Sequence, residues 1–309
     1  MSPLPSSKRK ARGGAEEELD DRFLRAWPLP RPDDGGGKET RGTVLVIGGA
    51  PEMPGAVILA ATAALRAGAG KLQIATVRSV AQLVAAHVPE ALVLALPQTR
   101  KGGVAASAVP LLLEKASAAG AVLVGPGLVD PPASARLVQG LLAKLEGPRV
   151  VLDADALECA CLAPESLRRA RVPIAVTPHS REMAHMLGKE PAHVERDPRA
   201  VAVRSARDLG VTVVLKGAET FIASPQGRLL CNRRAGNAGL GTSGSGDTLS
   251  GVIAGLAARG AELIQASAWG VYLHGRAGDV LARKVGPLGF LARELLAEIP
   301  REMARLSRK

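Results

Sequence analysis

The fold is decided by residues 43–77, which read TVLVIGGAPEMPGAVILAATAALRAGAGKLQIATV. The run Thr43–Ile47 is short, apolar and rich in β-branched residues, which predicts a buried strand. Residues Ala56–Ala67 are rich in alanine, which favours a helix, and Gly68 closes it. A second apolar run, Leu72–Val77, predicts another strand. This order of strand, helix and strand is typical of a parallel sheet.

The same alternation continues along the chain. Further apolar runs predict strands at Ala91–Leu96, Ala121–Val124, Val150–Leu152, Ile174–Val176 and Val211–Leu215. A helix is predicted over Ser134–Leu145, and the final third, from Ser245 onward, is predicted to be mostly helical. We therefore expect an α/β fold: a single three-layer domain over residues 41–309, with a mostly parallel sheet and helices on both faces.

Residues 1–40 differ from this body in composition. They are polar and charged, with many prolines and glycines. We expect Met1–Arg12 to form a disordered basic tail and the rest of this stretch to be loosely ordered.

Composition excludes two classes of partner. The longest apolar runs are far shorter than the roughly 20 residues of a transmembrane helix, so no membrane partner is expected. The net charge of +11 is carried largely by scattered arginines, and two Trp, one Tyr and three Phe are too few for base stacking. We therefore expect no nucleic-acid partner, and an anionic small molecule suits the positive field equally well.

The cysteines are sparse, which is typical of a reducing compartment. Cys159, Cys161 and Cys231 make an odd set, and their spacing does not make a zinc site without further ligands. The chain begins without an apolar secretory segment, so we expect a cytoplasmic protein.

The strongest functional signal is Asn237–Gly251, which reads NAGLGTSGSGDTLSG. Its Gly244-Ser245-Gly246-Asp247 tetrapeptide precedes a predicted helix, where unpaired backbone N–H groups favour an anion. Asp247 could stabilise the helix dipole, but a carboxylate beside a phosphate site is better explained as the base that deprotonates a substrate hydroxyl.

Other candidate residues follow the predicted strands, at the sheet edge where such folds bind ligands. They include His179 in a Thr-Pro-His-Ser segment, in which Ser180 is the predicted helix N-cap. Lys216 ends an apolar strand and is either a surface lysine or a phosphate partner. Asp153 and Asp155 could hold Mg²⁺ through water, or Asp155 could cap the next helix.

These segments together resemble the ribokinase-like superfamily, and within it the ADP-dependent NAD(P)H-hydrate dehydratases. The resemblance covers about residues 40–300 in matching order. It rests on Gly48-Gly49, Pro54-Gly55-Ala56, residues 63–70, Gly125-Pro126-Gly127-Leu128, residues 151–157, Thr177-Pro178-His179 with Glu182, Lys216-Gly217-Ala218 with Thr220, and Gly244–Asp247.

The resemblance implies a repair reaction. Enzymes of this family phosphorylate the ring hydroxyl of hydrated NADH or NADPH from ADP, giving AMP, and then eliminate phosphate. Asp247 would take the hydroxyl proton, and the N–H groups of Gly244, Ser245 and Gly246 would stabilise the transferring phosphoryl group. The implied substrate contacts are Ala56, Gly127, His179 and Asp247. The implied nucleotide contacts are Lys216, Gly217, Ala218, Glu219, Thr220 and Gly246.

The resemblance also sets expectations about partners. It implies ADP as co-substrate, a homo-oligomer, and a separate epimerase acting on the same substrate, since residues 1–40 are too short for an epimerase domain. Mg²⁺ is the expected cofactor on the chemistry of the paired carboxylates. The sequence departs from the family pattern at Met53, Arg181 and Ser243, where the family usually has an aromatic residue, glycine and glycine. The alternative function is a vitamin-precursor kinase of the same fold.

Overall fold

The computed structural model describes residues 16–31 and 37–308. Strands in these ranges form one sheet. They are β1 (Glu16–Glu18), β2 (Thr43–Ile47), β3 (Lys71–Val77), β4 (Ala91–Leu96), β5 (Ala121–Val124), β6 (Arg149–Leu152), β7 (Ile174–Val176), β8 (Thr212–Leu215), β9 (Thr220–Ala223) and β10 (Leu229–Asn232).

The sheet is mostly parallel, in the order β1-β10-β9-β8-β7-β6-β5-β2-β3-β4. Strands β2 to β8 run parallel to one another, whereas β9 is antiparallel to both β8 and β10. The predicted strands match β2 to β8 to within one residue at each end. The α/β fold with a mostly parallel sheet is therefore confirmed, and the antiparallel end of the sheet is an addition that the sequence pattern did not predict.

The helices form two groups that flank the sheet. They are α1 (Asp21–Ala26), α2 (Pro54–Arg66), α3 (Ala81–His87), α4 (Val109–Ser117), α5 (Pro131–Leu142), α6 (Glu158–Leu162), α7 (Pro164–Arg168), α8 (Ser180–Leu187), α9 (Pro191–Arg196), α10 (Pro198–Leu209), α11 (Ser245–Ala258), α12 (Leu263–Lys284) and α13 (Ala292–Ser307). Helices α2, α11, α12 and α13 pack on one another, and α4 to α10 make up the other group. None of the helices in the described ranges is both long and apolar enough to cross a membrane.

One predicted helix is displaced. Helix α5 begins at Pro131, three residues before the predicted start at Ser134, and ends at Leu142 rather than Leu145. Proline favours the first turn of a helix because its missing N–H would have no partner there and its φ is already helical.

Residues 16–31 correct the predicted domain boundary at residue 40, because they belong to the domain. Strand β1 pairs in parallel with β10, and its glutamates meet arginines beyond that strand, as in the 2.7 Å contact of Arg234 with Glu18. Leu19 and Leu24 are fully buried, and the indole of Trp269 donates to the Trp27 carbonyl over 2.9 Å. The predicted tail, Met1–Arg12, lies outside the described residues.

Small residues allow helices α2 and α11 to pack very closely. A Cβ added to Gly251 would lie 2.2 Å from the carbonyl oxygen of Ala60, and one added to Gly255 would lie 2.4 Å from that of Ala64. The two pairs are four residues apart on each helix, so the helices run side by side in parallel. The same register brings Ala56, near the start of α2, level with Asp247, near the start of α11.

Candidate active site

The glycine-rich loop ends at Gly244, which is the N-cap of α11. Its φ of +85° is in the left-handed region, and a Cβ there would lie 2.5 Å from Cδ1 of Leu59. Glycine is required on both grounds. The first turn of α11 therefore starts abruptly, with its backbone N–H groups and its positive dipole end directed out of the helix.

The three predicted oxyanion donors are not equivalent. The Ser245 N–H donates to the carbonyl of Thr242 over 3.2 Å, within the loop itself. The N–H groups of Gly244 and Gly246 are therefore better placed than that of Ser245 to donate to a phosphoryl group. Gly246 also lies close to the predicted phosphate partner, since a Cβ on it would be 3.5 Å from Nζ of Lys216.

Asp247 lies in the first turn of α11 and is partly buried. Burial is the main cause that raises the pKa of its carboxyl from 3.8 to about 6. The negative charge of Asp153 raises the pKa further, and the positive charge of Lys216 opposes both. A carboxyl whose pKa is close to neutrality is suited to accept a proton and later release it.

Lys216 is anchored at the end of β8 by a carboxylate at the end of β6. Its Nζ donates to Oδ1 of Asp153 over 3.2 Å, and Oε2 of Glu182 lies 3.9 Å away. Burial opposes the charge on Lys216, but Asp153 and Glu182 outweigh it, so the pKa of the lysine is raised. The lysine is thus a fixed positive charge next to the start of α11.

Asp153 holds Lys216 in place with its side chain. It is 2% exposed, and its Oδ1 also accepts a 2.7 Å hydrogen bond from the Thr177 hydroxyl. Both contacts fall on Oδ1, so Asp153 is engaged with Lys216 and Thr177, and its predicted Mg²⁺ role stays a prediction. Asp155 lies in a 3₁₀ turn over Ala154–Leu157 and makes no side-chain cap there. Burial raises its pKa, and the nearby carboxylate of Glu158 raises it further.

His179 is the N-cap of α8, and the prediction that Ser180 fills this position is wrong. Nδ1 of His179 accepts from the N–H of Glu182 over 3.1 Å, and Oε2 of Glu182 accepts from the N–H of His179 over 2.8 Å. This is a capping box in which the ring nitrogen replaces the usual hydroxyl. Because Nδ1 is an acceptor, the proton of the neutral ring is on Nε2, which is available as a donor on a half-exposed side chain.

Two loops meet on the other side of the α11 terminus. The Gly49 N–H donates to the Pro126 carbonyl over 2.8 Å, which joins the loop after β2 to the loop after β5. Gly127 has a φ of +68°, and a Cβ there would be 2.9 Å from the Cβ of Ala56. The predicted substrate contacts Ala56 and Gly127 are thus neighbours, as the prediction requires.

The remaining predicted nucleotide contacts belong to the turn between β8 and β9. Gly217, Ala218 and Glu219 are exposed, and Thr220 begins β9. Glu219 pairs with Arg233 over 3.1 Å, so its side chain turns toward the start of the next loop. The turn begins at Lys216, which places it next to the proposed phosphate position.

Sequence reasoning missed one pair of residues at this site. Oγ of Ser245 lies 3.0 Å from Nε2 of His274 in α12, and both side chains are buried. Burial lowers the pKa of His274 to about 4, so the ring is neutral. The pair joins the start of α11 to α12. Only an alignment of related sequences could have linked residues this far apart in the chain.

The structure thus brings one set of predicted residues to a single edge of the sheet. Asp153, His179 and Lys216 follow β6, β7 and β8, which are neighbours, and Asp247 faces them from α11. A mostly parallel sheet flanked by helices, with a glycine-rich helix start and an aspartate at this edge, defines the class: a ribokinase-like domain.

Within that class, a family model described as NAD(P)H-hydrate dehydratase matches residues 44–301, and the chain belongs to this family. It is 47% identical to the ADP-dependent (S)-NAD(P)H-hydrate dehydratase of Xanthomonas campestris pv. campestris, over 92% of this chain and 95% of the relative. It is 41% identical to a bifunctional NAD(P)H-hydrate repair enzyme of Moorella thermoacetica, over 93% of this chain but only 54% of that longer protein.

A solved structure gives the same result. The crystal structure of an ADP/ATP-dependent NAD(P)H-hydrate dehydratase from Bacillus subtilis, co-crystallised with ATP and Mg²⁺, matches with a TM-score of 0.80 and 31% identity. The match covers 94% of this chain and 99% of the Bacillus chain.

Proposed function

We propose that this chain repairs hydrated NADH and NADPH, using ADP as the phosphoryl donor. The observation that carries the proposal is Asp247, a carboxylate with a pKa of about 6 in the first turn of α11. It lies beside a helix terminus that suits an anion and beside the fixed charge of Lys216. Family membership supplies the class of substrate.

The first step is a phosphoryl transfer. Asp247 takes the proton of the ring hydroxyl, and the hydroxyl oxygen attacks the β-phosphorus of ADP. The bond from that phosphorus to the bridging oxygen breaks, so AMP leaves and a phosphate ester forms on the ring. The N–H groups of Gly244 and Gly246 and the ammonium group of Lys216 stabilise the charge on the transferring group.

The second step is an elimination. The electron pair of the ring nitrogen expels the phosphate by breaking the carbon–oxygen bond. The adjacent ring carbon then releases a proton to solvent, which restores the double bond. Phosphate is a good leaving group, so this step needs little from the protein beyond orientation. Ala56, Gly127 and the Nε2–H of His179 are the proposed contacts that hold the ring.

The nucleotide contacts are proposed for Lys216, Gly217, Ala218, Glu219, Thr220 and Gly246. The exposed turn from 217 to 219 leaves room for a ligand that enters along the β8 edge. Mg²⁺ prefers oxygen ligands and commonly combines one or two carboxylates with substrate phosphates, whose charge it neutralises. Asp153 is already paired with Lys216, so we propose that Mg²⁺ is held mainly by the nucleotide.

The chain spans about half the length of the bifunctional relatives. The dehydratase relative is named for the (S) form of the hydrate. We propose that a separate epimerase supplies this form from the other epimer. Assembly into a homo-oligomer stays a prediction.

A direct assay tests the proposal. Hydrated NADH is incubated with the purified chain, Mg²⁺ and either ADP or ATP, and the near-ultraviolet absorbance of the reduced nicotinamide is followed. Recovery with ADP, with release of AMP and phosphate, is the expected result. Recovery only with ATP would overturn the donor assignment. A folded protein that binds nucleotide and gives no recovery would overturn the function in favour of a kinase with another substrate.

A further inference from the structure

A second cluster of reactive side chains lies outside the proposed active site, between helices α6 and α8. Glu158 and Cys161 are three residues apart in α6, so they share one face of that helix. His185, in the last turn of α8, meets them from across the helix contact. The ligand atoms of all three lie within 4.8 Å of one another.

The three donor groups lie close to the spacing that a metal ion requires. Nε2 of His185 lies 2.9 Å from Oε2 of Glu158. Zinc bonds to nitrogen, oxygen and sulfur are about 2.0–2.3 Å long, so zinc ligands lie roughly 3–4 Å apart. The ring of His185 can rotate toward these distances, because its side chain is 67% exposed.

The set of donors decides which ion would bind. An imidazole, a thiolate and a carboxylate together favour a borderline-soft divalent ion such as Zn²⁺ or Co²⁺ and disfavour Mg²⁺ and Ca²⁺, which require oxygen ligands. The three donors leave the solvent side of a tetrahedral ion open for a water molecule. The carboxylate of Glu158 is mostly buried and therefore well held, since its side chain is 19% exposed.

We propose that Glu158, Cys161 and His185 form a binding site for a divalent transition-metal ion of the zinc type. Such an ion would join α6 to α8. His179 is the N-cap of α8 and Glu182 lies in its first turn, so the bound ion would fix the far end of the helix that contributes to the active site. The proposal does not depend on the repair function, because the metal ligands are separate from the residues assigned to substrate and nucleotide.

Cobalt is the probe, because thiolate coordination gives a near-ultraviolet charge-transfer band. The purified full chain is stripped with a chelator and titrated with Co²⁺. We expect the band to saturate at one equivalent, to disappear when Zn²⁺ is added, and to survive an excess of Mg²⁺. Absence of the band in the wild-type protein would overturn the proposal.

Three variants identify the ligands. Cys161→Ala should remove the band, although Cys159 and Cys231 are retained. His185→Gln, at an exposed position that tolerates the change, should weaken Co²⁺ binding by about tenfold or more, since loss of even an outer-shell partner costs this much. The matched control is His193→Gln, an exposed histidine on α9 outside the cluster, which should bind as the wild type does. A band that persists in Cys161→Ala, or unchanged affinity in His185→Gln, would assign the metal to other residues and refute the site.

Discussion

Two carboxylates beside the same lysine have opposite surroundings. At the end of β6, Asp153 accepts hydrogen bonds from Thr177 and Lys216 and is committed to holding that lysine in place. In the first turn of α11, Asp247 is desolvated, and its pKa is raised to about 6. Two aspartates in one site can therefore have different roles, one in positioning and one in proton transfer, because their surroundings differ.

The largest expected effect comes from removing the proposed base. Asp247→Asn should lower kcat for the repair of hydrated NADH by about 10²–10⁴-fold, the range typical of general-base catalysis. Nucleotide binding, measured by titration calorimetry, should change little, because the helix terminus and Lys216 remain. Glu195→Gln, an exposed carboxylate on α9, is the control and should keep its rate. A rate near the wild type in Asp247→Asn would refute the assignment.

Removing the positioning carboxylate should have a different signature. Asp153→Asn leaves Lys216 without its nearest partner, and breaking a buried ion pair costs about 3 kcal/mol of unfolding free energy. Denaturant unfolding measures this loss. We also expect a raised KM for the nucleotide, since Lys216 is no longer held against the phosphate position. Unchanged stability and unchanged KM together would show that Asp153 does not anchor the lysine.

The same comparison predicts that replacing Asp247 and replacing Asp153 change the free energy of unfolding in opposite directions. The pKa of Asp247 is higher in the folded protein, about 6, than its ordinary value of 3.8, so ionisation favours the unfolded chain. This penalty is absent below about pH 4, grows up to about pH 6 and then stays constant. Asp247→Asn removes it, which should stabilise the protein by up to about 3 kcal/mol at neutral pH.

The measurement is the difference in unfolding free energy between Asp247→Asn and wild type across this pH range. Asp247→Asn should be more stable than the wild type, by an amount that grows with pH. Asp153→Asn should be less stable than the wild type. A constant difference across the range would mean that Asp247 titrates in the folded protein as it does in the unfolded chain.

Activity should depend on pH through the same group. The base must be ionised, so kcat/KM should rise with pH through a midpoint of about 6. Because the Asp153 charge raises the pKa of Asp247, Asp153→Asn should move the midpoint to lower pH. Because the Lys216 charge lowers that pKa, Lys216→Met should move it to higher pH. Midpoints that do not move in either variant would assign the titration to another group.

Much of the fold could be predicted because the parallel strands β2 to β8 are each continuous apolar runs. The hairpin of β9 and β10 was missed, and so was the short strand β1, for which there is a physical reason. The residues Glu16–Glu18 look like a solvated charge run, and they become a strand only through pairing with β10 and with arginines some 200 residues away in the chain.

The candidate site, like the fold, could be predicted only in part. The rule that ligands bind where parallel strands end predicted that Asp153, His179 and Lys216 lie together. It could not predict how they pair, because side-chain partners depend on distances of a few tenths of an ångström. Only the folded structure shows that Lys216 pairs with the carboxylate of Asp153. Likewise, only the structure shows that His179 rather than Ser180 caps α8.

The smallest expected effect concerns His179, which lies at the end of β7, between the strands that end at Asp153 and Lys216. As N-cap of α8 it satisfies the N–H of Glu182, and His179→Ala should lower the unfolding free energy by about 0.5–2 kcal/mol. His179→Asn supplies a capping oxygen in place of Nδ1 and should recover most of that stability. It lacks the Nε2–H, so KM for the hydrated cofactor should stay raised in both variants while kcat changes little. If the asparagine variant restored KM along with stability, His179 would serve only to position Glu182, and through it Lys216, and the ring-binding contact would have to come from another residue.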